Sequence, residues 1–302
     1  MLWAAALTDE GRRRRIFYLA AGSLGWVAAQ LSLSKAAFIS GAVGFVLLFV
    51  FLLARGDKSS RPATLKLASA WLVLTIIFQA GFSFFSAVPA TTQYITGSAD
   101  ATRETSSMRV FTWKVTGQMI ADAPLLGVGA DNFGARFNDG RRSYVKASSE
   151  DPANAIGEDY LFERAHNEYL QIFAELGTIG ILLFAAIFGC LAWVTGRAVL
   201  SKVPLDPLLC GAIGGMAAFA VSSLFTSFSF RAAQNGIVFF LVMAVVNEAV
   251  WRNSTTDFWV GFKLWGALPA TLVFAFANIP MLMRHGLQMD PAKVEATHPP
   301  SE

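Results

Sequence analysis

Apolar runs of about 20 residues recur along this chain, separated mostly by short polar connections. A helix of that length crosses about 30 Å of hydrocarbon. Seven runs read this way: 16–33, 36–54, 67–88, 169–194, 208–228, 235–251 and 259–283. Gly22, Ser23, Gly25 and Gln30 dilute the first. Strands of a membrane barrel would instead alternate over segments of about 10 residues. The pattern predicts an all-α, polytopic integral membrane protein with about seven transmembrane helices. It also predicts one large hydrophilic loop between spans three and four. The organisation follows: three spans in 1–89, the loop in 90–166, four spans in 167–285 and a disordered tail at 286–302.

The loop has parts of its own. Residues 91–103 are polar and read as irregular. Over 107–121, Val110, Trp113, Gly117 and Ile120 recur at helical spacing, as do Phe111 and Val115, so this stretch predicts an amphipathic helix capped by Ser106 or Ser107. Pro124 ends it, because a residue before proline avoids the helical region. Gly127-Val128-Gly129 opens a turn, and 138–157 reads as a polar, mobile segment.

Composition agrees with a membrane class. The 302 residues are 54% hydrophobic and 15% charged, where a soluble domain carries roughly 25% charged residues. Basic residues cluster in alternate connections: the four arginines at 12–15, then Arg55, Lys58, Arg61 and Lys66, then Arg197 and Lys202, then Arg252. By the positive-inside rule these face the cytoplasm, with the N-terminus inside and the C-terminus outside. The long loop, with eight basic against ten acidic residues, then faces the periplasm. The net charge of +3 therefore reflects topology and contact with membrane lipids, not nucleic acid. Cys190 and Cys210 fall near the cytoplasmic ends of their spans, where small packing residues are expected rather than a disulfide.

The loop ends in His166-Asn167-Glu168-Tyr169-Leu170-Gln171 and runs straight into an apolar helix. A histidine there can anchor a helix end. It can also act as a general base, because the positive end of a helix favours neutral imidazole. Arg109, four residues before Trp113, can stack on the indole or hold a phosphate through paired hydrogen bonds. Lys35 and Arg231 are isolated cations beside apolar helix on the loop side, placed to snorkel or to bind an anion. Arg136, Arg141, Arg142 and Lys146 read as a solvated basic run. Glu175 is either a packed interfacial acid or a partner in a site. No metal-ligand spacing, serine-triad elbow or P-loop occurs, so no metal or cofactor is expected.

Two runs carry a family resemblance. Trp113…Met119-Ile120-Ala121-Asp122-Ala123-Pro124-Leu125-Leu126-Gly127-Val128-Gly129…Asn132-Phe133 resembles the loop motif of the O-antigen ligase and Wzy polymerase superfamily. His166-Asn167-Glu168-Tyr169-Leu170-Gln171…Glu175-Leu176-Gly177…Gly180 resembles its second, more specific motif. Together they cover about 70 residues in the expected order. The resemblance implies transfer of a glycan from undecaprenyl diphosphate to an acceptor hydroxyl on the periplasmic face of the bacterial inner membrane. The partners it implies are a lipid-linked glycan donor and either lipid A core or another glycan or protein acceptor. It assigns His166 as the base, with Arg109 near the donor diphosphate. Lys35 and Arg231 are further candidates for the departing oxygens. The family's Ser-Arg pair is matched by Ser34-Lys35, where lysine keeps the charge but not the paired geometry. Polymerase and protein O-oligosaccharyltransferase activities belong to the same superfamily and stay open. Its members also carry more spans than this chain, and 2–7 reads as the stub of an earlier one. A truncated, inactive membrane protein is therefore the remaining alternative.

Overall fold

The computed structural model describes residues 1–32, 34–85, 100–151, 154, 162–200, 205–226 and 233–252. Among these residues the secondary structure is helical and no strand occurs. The helices are α1 (Leu2–Thr8), α2 (Arg12–Leu31), α3 (Lys35–Arg55), α4 (Arg61–Phe85), α5 (Asp100–Asp122), α6 (Phe133–Ala147), α7 (Glu168–Leu200), α8 (Pro207–Ser223) and α9 (Ala233–Arg252). A short 3-10 turn, Lys58–Ser60, precedes α4.

Three helical stretches are long and apolar enough to cross a membrane: Lys35–Arg55, Lys58–Gly81 and Glu168–Arg197. Pro207–Ser223 and Asn235–Ala244 are shorter apolar helices. The chain is thus an all-α membrane protein. The expected first span forms a helix, but α2 starts at Arg12 and carries four arginines and several polar residues, so it falls outside those three. The seventh run, 259–283, lies outside the described residues.

By contacts the described chain divides into two compact units. The first comprises Met1–Lys114, Ala165–Gln171 and the described residues from Phe188 onward. The second comprises Val115–Arg164 and Ile172–Ile187.

In the first unit, α2 and α4 run parallel in a fixed register. The Trp26 indole donates to Thr75 Oγ1 at 2.8 Å, and Gln79 donates to Gln30 Oε1 at 2.9 Å, so both bonds join residues 49 apart. Trp26, Phe45 and Trp71 pack ring against ring between α2, α3 and α4, with centroids 5.2 to 5.7 Å apart. Helices α3 and α8 cross antiparallel. Leu205 N donates to Arg55 O at 2.8 Å at one end. Further along, a Cβ on Gly214 would stand 2.5 Å from Gly44 O. Small residues allow this approach, as is usual between helices in lipid. Helix α1 also packs on α8, where Ala4 is fully buried and lies close to Gly211. Phe239 of α9 is buried against Phe219 of α8 and Phe188 of α7. Cys190 is exposed and Cys210 buried, and both are free.

The loop is more ordered than its polarity suggests. Helix α5 begins at Asp100, so Ser106 and Ser107 lie inside it and not at its cap. The segment read as mobile, 138–157, begins inside α6, which holds residues 138–147. Phe133, Phe137 and Gly140 make one buried face there, and Phe137 meets Phe162 at 5.0 Å. Arg141, expected to be solvated, is 3% exposed. Arg136 and Arg142 are exposed and pair with Asp139, an arrangement worth about 0–1 kcal/mol.

Candidate functional site around His166

Asn167, not His166, starts α7. Its Oδ1 accepts from Leu170 N at 3.0 Å and its carbonyl from Gln171 N at 3.0 Å, the pattern of an N-cap. His166 lies just outside the helix with φ 52, a left-handed conformation that non-glycine residues seldom adopt. Its neighbour is clamped from two sides. The Trp113 indole donates to Ala165 O at 2.8 Å, and Ala165 N donates to Gln171 Oε1 at 3.1 Å. Ala165 and Gln171 are fully buried. Trp113, Asn167 and Gln171 therefore fix the backbone that carries the imidazole.

Burial holds the His166 pKa below its ordinary value, and the nearby Arg109 charge pushes it the same way. The direction matches the helix-end expectation, but the causes differ. Partial burial comes first and Arg109 second, while the imidazole stands outside the helix. Neutral imidazole with a free lone pair is the form that accepts a proton.

Lys35 occupies the first position of α3, after Ser34, whose Oγ accepts from Ala37 N at 3.2 Å. The antiparallel α3–α8 register puts Lys35 and Ser223 at one end of the first unit. Tyr169 OH donates to Ala220 O at 2.9 Å, which brings the start of α7, and His166 with it, to that same end. Arg55 and the arginines at 12–15 lie toward the opposite end. Arg231 lies outside the described residues. Among the described residues no three His, Cys, Asp or Glu side chains are grouped to hold a metal ion.

The second unit joins the two sequence motifs. Gly177 has φ 64 and ψ −166, which breaks α7 in a region essentially restricted to glycine. The carbonyls of Ala174 and Glu175 do not take their helical donors, Thr178 and Ile179. They accept instead from Val128 N and Gly129 N, both at 2.9 Å. Thr178 N and Ile179 N turn to Pro124 O and Leu125 O at 2.7 and 3.3 Å. The loop turn thus fills the helix break with four backbone hydrogen bonds. No side chain fits there: a Cβ on Gly127 would stand 2.4 Å from Glu175 C, and one on Gly177 2.2 Å from Leu125 O. Glu175, 1% exposed, accepts from Asp131 N at 3.0 Å, and Asp131 pairs with Arg164 at 3.1 Å. Glu175 is accordingly an acid that holds the turn. An open cleft of about 330 Å³ beside it is lined by Asp122, Arg136 and Asp139. These charged groups already have partners: Gln118 for Asp122, and Arg136 for Asp139.

The geometry explains why both motifs are built as they are, and comparison with known proteins gives their origin. The family model described as O-antigen ligase matches residues 20–185, more than half the chain. The chain belongs to the O-antigen ligase family. That match contains His166, Arg109, Lys35 and both partners of the helix break. A second model, intracellular septation protein A, matches residues 230–289 and does not overlap the first. The YciB proteins that resemble this chain do so over its C-terminal part. The inner membrane-spanning protein YciB of Rhizobium meliloti (strain 1021) is 52% identical over 56 residues, 18% of this chain and 27% of the relative. The YciB of Mesorhizobium japonicum is 58% identical over 50 residues, 17% and 22% respectively. That of Bradyrhizobium sp. (strain ORS 278) is 52% identical over 60 residues, 20% and 29%. The chain thus spans about a quarter of the length of these relatives. No solved structure matches.

Proposed function

We propose that this chain transfers a glycan from a polyprenyl-diphosphate donor to an acceptor hydroxyl, with His166 as the base. The observation that carries this reading is the strained, clamped His166, held neutral by partial burial and by Arg109. The acceptor O–H gives its proton to the imidazole as its oxygen attacks the anomeric carbon. The anomeric C–O bond to the diphosphate breaks, and the electron pair leaves with the diphosphate. Negative charge then grows on the departing oxygens, where preorganised cations act most strongly. Arg109 is the first candidate, with Lys35 at the same end as His166, and Arg231 completes the set. The glycosyl ester bond to a stabilised diphosphate leaving group supplies the free energy, and the phosphoanhydride itself stays intact.

The reading places the chain in the bacterial inner membrane, with His166 on the periplasmic side. The YciB-like C-terminal match supports that membrane, and the basic opposite end supports that orientation. Ligase-type transfer to lipid A core is preferred on the family match. Chain polymerisation and transfer to protein hydroxyls would use the same base and cations.

Replacing His166 by Ala in membranes supplied with lipid-linked glycan should lower transfer by at least about 10²-fold, the usual scale for a general base. The chain should still accumulate, because only a partly buried side chain is removed. Undiminished transfer by a well-expressed variant rules out the catalytic role. If wild type transfers nothing to lipid A core, single-unit and polymeric products distinguish polymerase from ligase.

A further inference from the structure

We infer that the loop turn at 124–126 is immersed in the membrane, its Leu125 and Leu126 side chains lying among the acyl chains of the bilayer. The turn belongs to the loop that the sequence places in water, yet Leu125 and Leu126 are 66% and 72% exposed. Its backbone is bonded to a helix long and apolar enough to cross a membrane, at Thr178 and Ile179. The neighbouring residues of that helix within the same unit, Ile179, Leu182 and Leu183, are exposed and apolar too. The leucine pair therefore continues a surface that the span itself presents to lipid.

Depth along α7 decides how far the turn enters. From Gly177 to Arg197 the chain advances 20 residues, about 30 Å at 1.5 Å each, the thickness of the hydrocarbon. Counted from Arg197, the break therefore stands about one hydrocarbon thickness away. The turn shares that level, with charged Asp122 and Asp131 flanking it in sequence. Irregular backbone at membrane depth needs its polar groups paired within the protein. Three carbonyls of this turn meet that condition. Pro124 has no N–H, and the carbonyls of Ala123, Pro124 and Leu125 accept from Gly127, Thr178 and Ile179. Val128 N and Gly129 N donate to α7.

The inference concerns lipid contact and stands apart from transfer chemistry. A nitroxide on Leu126→Cys, in the full chain carrying C190S and C210A, would be placed in vesicles of phosphatidylethanolamine and phosphatidylglycerol. The label should be more accessible to oxygen than to a water-soluble nickel chelate. A label on Arg142→Cys, exposed in the same unit, should show the reverse. Equal nickel access at both sites overturns the inference. So does a Leu126 label that leaves water only after undecaprenyl phosphate is added, because the surface then belongs to a lipid substrate. If the Leu126 variant fails to reconstitute, Leu126→Trp in the unlabelled chain gives the same reading through quenching by brominated acyl chains.

Discussion

At the scale of single residues, the pair of His166 and Arg109 sets a pH dependence. Partial burial and the Arg109 charge both lower the imidazole pKa, so base activity is present above that value and lost as pH falls through it. Arg109→Gln removes the second cause and leaves the first. The acid limb of kcat/KM should move to higher pH, and the rate should fall by about 10²–10³ if the guanidinium stabilises the leaving diphosphate. An unmoved acid limb would separate Arg109 from His166. Donor binding has a related consequence. A diphosphate beside Arg109 cancels its field, so the limb in kcat should lie at higher pH than that in kcat/KM. The same shift bears on stability. A histidine pKa lowered by folding leaves the unfolded chain binding the extra proton, so stability falls as pH drops below about 6.5. His166→Gln should flatten that slope in thermal melts between pH 7 and pH 5.

At the scale of elements, the break in α7 is the feature to test. Gly177→Ala places a Cβ against Leu125 O and forces a conformation that costs about 1–3 kcal/mol in itself. Loss of the loop bonds adds to this, so a clear drop in thermal stability is expected. Gly189→Ala lies in the same helix with open space around its Cβ, and should be neutral or stabilising by up to about 1 kcal/mol. Similar melting temperatures for the two variants would contradict the plugged break. The sequence showed one half of this device. Gly127-Val128-Gly129 after a proline reads as a turn from residue types alone. Its partner, Gly177, sits in an apolar run that keeps helical periodicity and reads as a packing glycine. Helix α6 was legible in principle, since Phe133, Phe137 and Gly140 repeat at helical spacing. The polar residues between them hid it.

At the scale of the whole molecule, α3 and α8 hold the first unit through glycine contacts, so packing there should respond steeply to volume. Gly214→Val puts bulk where Gly44 O already stands 2.5 Å from an added Cβ. Overpacking of this kind costs typically 1–3 kcal/mol. Gly215→Ala, whose Cβ would meet only Val242 at 4.0 Å, is the matched control. Detergent-resistant folding, followed by proteolysis, should drop for the first variant and not the second. Equal resistance would show that α3 and α8 are not held by close approach. The first unit also includes α9, whose sequence falls in the segment similar to septation proteins. Phe239 packs this helix against α7 and α8, and α7 begins inside the part that matches the O-antigen ligase model.

Hydrophobic runs determine the membrane class, the helical fold and the alternation of charged ends, because the cost of burying backbone and charge in hydrocarbon depends on composition alone. The two motifs likewise mark His166 and the loop turn by residue type. Tertiary structure decided the rest. The Trp113 clamp on the neighbour of His166 and the exchange of hydrogen bonds at Gly177 join residues distant in sequence. Their energies depend on distances between elements, and no local pattern along a chain encodes those.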